Sequence, residues 1–216
     1  MTHLTRQKVP KSWSLPKKGT AYVVNPKSNI NLGIPILVAL RDILKFTQNR
    51  KETKKAINQR FIKLNGKDVR EEKNSLVLFD VLTIEPTKKN YRLTLTPRGR
   101  FTLEEIDEKH AHEKVSKVIG KKILKGKKTQ LNLMDGRNIL TDLECKLNDS
   151  IVVELKTNKA KKCLSLQKGA KIIVFGGKHT GKRAEVMNIN EKEKIVEAKT
   201  KEETINVLIK QALVEN

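Results

Sequence analysis

The 216-residue chain carries only two cysteines, Cys145 and Cys163. They are too few and too isolated for a disulfide framework or paired zinc knuckles, so both read as buried small residues. Aromatics make up 4% of the chain, which leaves an aliphatic core and few side chains for stacking on bases. No apolar run approaches the roughly 18 residues that a spanning helix needs. The longest, Ile34 to Leu40, is interrupted by Pro35, and no membrane is expected. Thr2 to Lys18 is basic and polar with no apolar stretch of the kind a signal peptide has, so a cytoplasmic location is expected. Of the four histidines only His110 and His112 are close, and no carboxylate or thiolate stands beside them at ligand spacing, so neither metal nor other cofactor is expected. Acid is scarce as well: Lys and Arg outnumber Asp and Glu by 46 to 24, a formal charge of +22. Such an excess repels itself unless a polyanion neutralises it, and nucleic acid rewards each neutralised phosphate with counterion release.

The positive charge is spread along the chain. Residues 1–40 hold Arg6, Lys8, Lys11, Lys17, Lys18 and Lys27 and no acid, and the net charges of 41–90, 91–165 and 166–216 are +6, +7 and +3. Pro10, Pro16, Pro26 and Pro35 with Gly19 and Gly33 oppose regular structure in the first segment. It reads as a basic arm that orders on its partner, with Trp13, Leu15, Tyr22, Val23 and Val24 as anchors.

Residues 41–90 read as a small module whose first helix begins near 36. Ile36, Leu37, Leu40, Ile43 and Leu44 recur at helical spacing and leave Arg41, Asp42 and Lys45 on the other face. After Thr47–Asn49, which offers an N-cap, Arg50 to Ile57 predicts a second helix with Ala56 and Ile57 inward. Phe61–Leu64, the pair Asn65-Gly66 and Lys67–Val69 predict a hairpin, since a type I′ turn needs positive φ at both central positions. Arg50, Lys51, Lys54 and Lys55 beside Lys63 and Lys67 then form a cationic rim suited to an RNA backbone. Two helices, an Asn-Gly hairpin and a strand over Leu76–Ile84 resemble the S4-type RNA-binding module. Arg60 stands where that module usually has glycine, and adds a candidate phosphate contact.

Residues 91–165 read as a β-rich central domain. Tyr91–Thr96 alternates like a strand, Pro97–Arg100 turns, and Phe101–Leu103 follows. Glu104 to Val118 is charged and reads as helix or loop. Gln130–Met134 and Ile139–Asp142 flank a turn carrying Arg137, and Ile151–Leu155 closes the series. Asp135, Asp142 and Asp149 sit in separate turns and strand ends, where aspartate serves local hydrogen bonding rather than catalysis.

Residues 166–216 contain the one segment that invites an enzyme. Gly176–Arg183 matches a phosphate-binding loop except that Arg183 stands where a magnesium-ligating hydroxyl is needed. Ala184–Ile189, Lys194–Ala198 and Thr204–Val207 alternate as strands, so the parallel α/β sheet of an NTPase is absent. Gly169–Val174, a basic glycine loop and Gly181–Val186 instead resemble a KOW motif in an SH3-like barrel, with Lys178, His179, Lys182 and Arg183 on the loop.

Arm, S4-type module, central domain and KOW barrel, in that order, resemble the S4e family of small-subunit ribosomal proteins, over nearly the whole chain. Pro10-Lys11-Ser12-Trp13, Leu40–Lys45, Gln130–Leu133 with Asp135–Ile139, and Gly176–Lys182 carry the resemblance. The length resembles archaeal members. The resemblance implies an α+β multidomain, mostly β fold and a structural role on the ribosome, binding the 5′ region of small-subunit ribosomal RNA beside neighbouring ribosomal proteins, with no small-molecule substrate. Phosphates would be held by Lys11, Lys17, Lys18, Arg41, Lys45, Arg50, Lys51, Lys54, Lys55, Arg60, Lys178, His179, Lys182 and Arg183, with Trp13 on a sugar or base or anchoring the arm to its own domain. The alternatives are an RNA-binding factor that acts off the ribosome and an RNA-modifying enzyme that docks through an S4-type module. The short strands and turns after residue 90 leave little room for the large catalytic domain the latter requires.

Overall fold

The computed structural model describes residues 3–28, 30–125, 128–190, 192–200 and 203–215. Helices are few, and the strands form three five-stranded and two two-stranded sheets among the described residues. Contacts gather the chain into two units, residues 1–95 with 100–112, and residues 96–99 with 113–216. The sequence reading divides it into four.

In the first unit, β1 (Leu4–Thr5) pairs antiparallel with β2 (Tyr22–Val23). The expectation that this arm orders on a partner is corrected here. Trp13 is 3% exposed and its indole N–H donates to the Ile30 carbonyl at 3.2 Å. The Phe101 N–H donates to Ser12 O at 2.7 Å, and the Ser14 hydroxyl donates to Phe101 O at 2.6 Å. Burying an indole stabilises by about 1.5–3 kcal/mol or more, enough to fix a proline-rich segment that lacks a regular ladder of its own.

Strand β3 (Gly33–Pro35) leads into α1 (Ile36–Val38), which continues as a π-helical turn over Ala39–Ile43. Ile36 to Leu40 are all buried, so the first turn is apolar all round, and the expected amphipathic face begins only at Arg41. Its first amides are satisfied by loop carbonyls, Ile36 N–H on Asn74 O at 2.9 Å and Leu37 N–H on Glu72 O at 3.2 Å. Helix α2 (Arg50–Asn58) starts where Asn49 Oδ1 accepts the Glu52 N–H at 3.0 Å, while the Glu52 carboxylate accepts the Gln48 N–H at 2.7 Å. Thr53, Ala56 and Ile57 are its buried face.

Strands β4 (Ile62–Leu64) and β5 (Lys67–Asp68) meet at Asn65 and Gly66, whose φ values are 51° and 77°. The strand expected over Leu76–Ile84 is two, β6 (Ser75–Val77) on β3 and β7 (Val81–Ile84) on β4, separated at Phe79 with φ 63°. Asp80 holds the break: its carboxylate accepts the Val77 N–H at 2.7 Å and the Asn65 amide at 2.8 Å. β8 (Lys89–Leu95) and β9 (Phe101–Ile106) complete the sheet in the order β5-β4-β7-β8-β9.

In the second unit, β10 (Glu113–Ile123) is the spine, where helix or loop was expected up to Val118. Its first half pairs with β13 (Ser150–Glu154). Its second half pairs, beyond a bulge at Val118/Gly120, with β11 (Thr129–Leu133). β12 (Asn138–Thr141) and β14 (Ala160–Leu164) are the edges. β15 (Lys171–Val174), β16 (Arg183–Asn190), β17 (Ile195–Lys199), β18 (Thr204–Leu208) and β19 (Ala212–Val214) form a second antiparallel sheet, ordered β18-β17-β16-β15-β19. Alternation places Ile172, Val174, Ala184, Val186, Val196, Ala198, Ile205 and Val207 in its core.

The sheets of this unit are joined by polar bonds. The Val214 N–H donates to Ser150 Oγ at 2.9 Å, and the buried Lys117 ammonium donates to Ala212 O at 2.6 Å and to Ile209 O. Burial pushes the Lys117 amine down to about 8 against the opposing pull of Asp149. Cys145 and Cys163, read as isolated, are neighbours instead: their Cα atoms are 6.1 Å apart, the sulfurs pair, and both pack on the Val118–Leu131–Ile151 core. The loop after β12 carries Cys145 to Cys163 on β14, across eighteen positions of sequence.

Candidate nucleic-acid interface

Helix α2 carries a cluster of exposed positive charge. Lys51, Lys54 and Lys55 stand at i, i+3 and i+4, hence on one face, opposite buried Thr53, Ala56 and Ile57. All three are exposed and make no ion pair among the described residues. Arg60 follows on the same side of the chain's course, exposed at φ 57°, with its N–H on Ile57 O at 2.9 Å and the Phe61 N–H on Ala56 O at 3.0 Å. This pair of bonds is a Schellman cap, whose left-handed residue is usually glycine. Lys45 and Lys67 are exposed and unpaired as well, as are Lys11, Lys17 and Lys18 on the arm.

Other expected contacts are already engaged. Arg41 is half-buried on Asp42 at 2.8 Å. Arg50 donates to Glu72 Oε1, and this bond, reinforced by the charge, raises the guanidinium pKa. The Glu72 side chain is 6% exposed with its second oxygen unpartnered, so releasing Arg50 would leave a buried bare carboxylate, a loss of several kcal/mol. Arg50 is therefore held in place, and only its outward edge is offered. Lys63 pairs with Glu85 at 2.6 Å, Lys182 with Glu203, and Arg183 with Glu215 at 3.1 Å. The Lys182 bond and its charge, with His179 and Lys178 nearby, lower the Glu203 pKa. These partners are exposed and such pairs contribute about 0–1 kcal/mol, so a phosphate can displace them. Arg137 lies 3.5 Å from Asp135 and 3.3 Å from Asn158. Trp13 is buried and cannot stack on a base without unfolding its segment.

Lys178 is exposed and His179 half-buried on the loop between β15 and β16. Gly181 N–H donates to Val174 O at 2.7 Å and Lys182 N–H to His179 O at 3.1 Å, so the loop returns directly into a strand. No helix N-terminus follows to hold a nucleotide phosphate. Gly181 has φ 89°, and a Cβ there would lie 1.9 Å from Thr96 O within the same unit. Asp135 and Asp149 serve structure: Asp135 accepts the Lys114 ammonium at 2.7 Å and the Arg137 N–H at 3.1 Å, and Asp149 accepts the Lys146 and Leu166 N–H groups, each at 2.9 Å. Burial pushes Asp135 upward, but the Lys114 charge and these bonds outweigh it and hold the carboxyl below its ordinary value.

Two adjoining clefts in the first unit bring Arg6, Arg70 and Lys73 together with the expected Arg41, Arg50 and Lys54. One, about 390 Å³, is lined by Arg6, Tyr22, Val23, Leu37, Arg41, Arg50 and Lys73 among others. The second, about 420 Å³, shares Arg50 and Lys73 and adds Lys54 and Arg70 together with the carboxylates of Glu71 and Glu72. The run Arg70-Glu71-Glu72-Lys73 sums to zero in sequence. In space Glu72 turns inward and Glu71 pairs with Lys27 at 2.8 Å, leaving Arg70 and Lys73 outside. In the second unit a cleft of about 620 Å³ is bordered by Lys146, Lys194 and Lys210 over Leu147, Leu166 and Leu208.

The model of the ribosomal family S4e matches residues 87–160. A small ribosomal subunit protein eS4 from Methanospirillum hungatei is 36% identical over 184 residues, 83% of this chain and 76% of its own length. The chain belongs to the S4e family of ribosomal proteins. The eS4 of Methanothermobacter thermautotrophicus is 34% identical over 87% of this chain and 79% of its own length, and that of Nanoarchaeum equitans 34% identical over 83% and 79%. The crystal structure of the 30S ribosomal protein S4e from Thermoplasma acidophilum superposes with a TM-score of 0.73 at 26% identity, covering 85% of this chain and 94% of that one. An S4e protein is a structural component and not an enzyme, which agrees with a glycine loop that leads into a strand.

Proposed function

We propose that this S4e protein binds the 5′ region of small-subunit ribosomal RNA in the cytoplasmic ribosome and supports assembly of the subunit, next to neighbouring ribosomal proteins. The single observation that carries the reading is the face of α2 where Lys51, Lys54 and Lys55 stand together and make no ion pair among the described residues, the helix's carboxylate, Glu52, being bonded to Gln48 and Asn49 at the N-cap. Three ammonium groups within one turn repel each other, and a phosphate backbone is the ligand that relieves them. On this reading, residues 41–90 act as an S4-type module and 166–216 as an SH3-like KOW barrel with Lys178 and His179 at its loop. The arm contributes Lys11, Lys17 and Lys18, and residues 91–165 contribute Arg137.

The test is charge reversal of Lys51, Lys54 and Lys55 in the full chain, read as affinity for a small-subunit rRNA fragment at several salt concentrations. Loss of three phosphate contacts lowers the slope of log affinity against log salt by about 2–3. An unchanged slope removes α2 from the interface. Sedimentation through a high-salt gradient tests the wider claim: stable one-to-one migration with small subunits supports it, and recovery only in soluble fractions refutes it.

A further inference from the structure

The cleft beside β2 has a composition that a backbone-binding rim does not need. Arg6, Arg41, Arg50 and Lys73 are among its lining residues and no carboxylate is. Arg41 and Arg50 are paired with Asp42 and Glu72, and Lys73 lies near Glu71, itself paired with Lys27, whereas Arg6 makes no ion pair among the described residues. The Arg6 guanidinium is fixed by carbonyls, Nε on Thr20 O at 2.7 Å and Nη1 on Pro16 O at 2.8 Å, with a further bond to Thr20 Oγ1 at 3.0 Å. Its charge is thus pre-positioned without being cancelled. Tyr22 and Val23 add an aromatic and aliphatic wall, and Tyr22 is 62% exposed although large apolar rings are scarce in this chain.

Cations and an aromatic ring, the latter 5.5 Å from the His3 ring, around a space of about 390 Å³ match one nucleotide better than a duplex. Pockets of roughly 300–1,000 Å³ hold small ligands, while a duplex presents its backbone and keeps its bases stacked. A free phosphate would have no use for the ring, and an acidic peptide would have none for a flat face. We propose that this cleft receives a single unstacked nucleotide of the bound RNA, its base on Tyr22 and its phosphate between Arg6, Arg41 and Lys73. The inference rests on the RNA-binding reading and assigns a local distortion to the RNA.

The experiment uses the full chain and a small-subunit rRNA fragment, with Tyr22→Ala, Tyr22→Phe and Lys73→Ala. Because Tyr22 is exposed, its removal leaves the melting temperature unchanged. Tyr22→Ala weakens binding at least about fivefold, the effect of one lost base stack, with the salt slope unaltered, and Tyr22→Phe binds as the parent does. Lys73→Ala lowers the slope by about 0.7, one single-stranded phosphate. If Tyr22→Ala binds normally, or Tyr22→Phe is as weak as alanine, or Lys73→Ala keeps the slope, the cleft is not a nucleotide site. Should the α2 charge reversal still weaken binding in that case, the RNA reading survives alone, whereas a parent chain that ignores rRNA defeats both.

Discussion

Arg60 separates what a residue does for folding from what it does for RNA. Its φ of 57° and the two bonds of the Schellman cap put a side chain where a left-handed conformation costs roughly 1–2 kcal/mol for an L residue. Glycine removes that cost but adds unfolded-chain entropy of about 0.4–1 kcal/mol. The net gain for Arg60→Gly is therefore about 0.5–1 kcal/mol. Arg60→Ala keeps the backbone penalty and gains nothing. For a protein of this size the glycine variant should melt about 1–4 °C above the alanine variant in a calorimetric or fluorescence scan. Both variants lose the same charge, so both should show the same reduced salt slope on rRNA, by about 0.9 if Arg60 meets a duplex-like phosphate. Equal melting temperatures for the two would refute the cap argument. Unequal RNA affinities would show that backbone geometry, not charge, carries the contact.

Further expectations follow from the second unit. Lys117 has a folded pKa near 8, below its ordinary 10.5, so the folded state sheds its proton first and stability rises with pH between about 8 and 10.5; the full rise is on the order of 3 kcal/mol, and denaturant titrations of Lys117→Met should lack it. Asp135 shows the opposite sign: its carboxyl is held below the ordinary value, so its contribution is complete above about pH 4 and lost as pH falls through the folded value. Asp135→Asn removes the carboxylate charge facing the Lys114 ammonium, whose side chain is 2% exposed, and should lower stability by on the order of 1–3 kcal/mol at neutral pH by urea unfolding. Gly181→Ala places a Cβ against the Thr96 carbonyl at positive φ and should cost about 2–3 kcal/mol, visible as a lowered melting point; a neutral result would mean the loop relaxes freely.

The parts of the fold written in local chemistry were readable. Asn49 before α2, the Asn65-Gly66 turn and the apolar alternation of β16 to β18 act over a few residues, so their consequences are visible in the string. β10 was not readable, because Lys114 and Lys117 point inward and break the alternation that marks a strand. Their partners, Asp135 and the Ile209 and Ala212 carbonyls, lie on other elements. The break at Phe79 escaped notice for a similar reason, as Asp80 and Asn65 enforce it from fifteen positions apart. At the candidate interface the sequence could count cations but not subtract them. Arg50, Lys63, Lys182 and Arg183 look like Lys51 until the carboxylates that fold against them are known. Trp13 carried a contact expectation that its burial removes, while Lys73 and Arg6 gained one that only the cleft confers.

The ammonium of Lys117 has a consequence for how the chain is made. It is synthesised more than ninety residues before the carbonyls that receive it, since its bond to Ala212 spans 95 positions. Until β19 leaves the ribosome exit channel, the spine strand carries a charge that no nascent neighbour can satisfy, and closing a dry core over it is penalised. Closure of the core over the spine strand is thereby tied to the docking of β19, so the two sheets of this unit depend on each other.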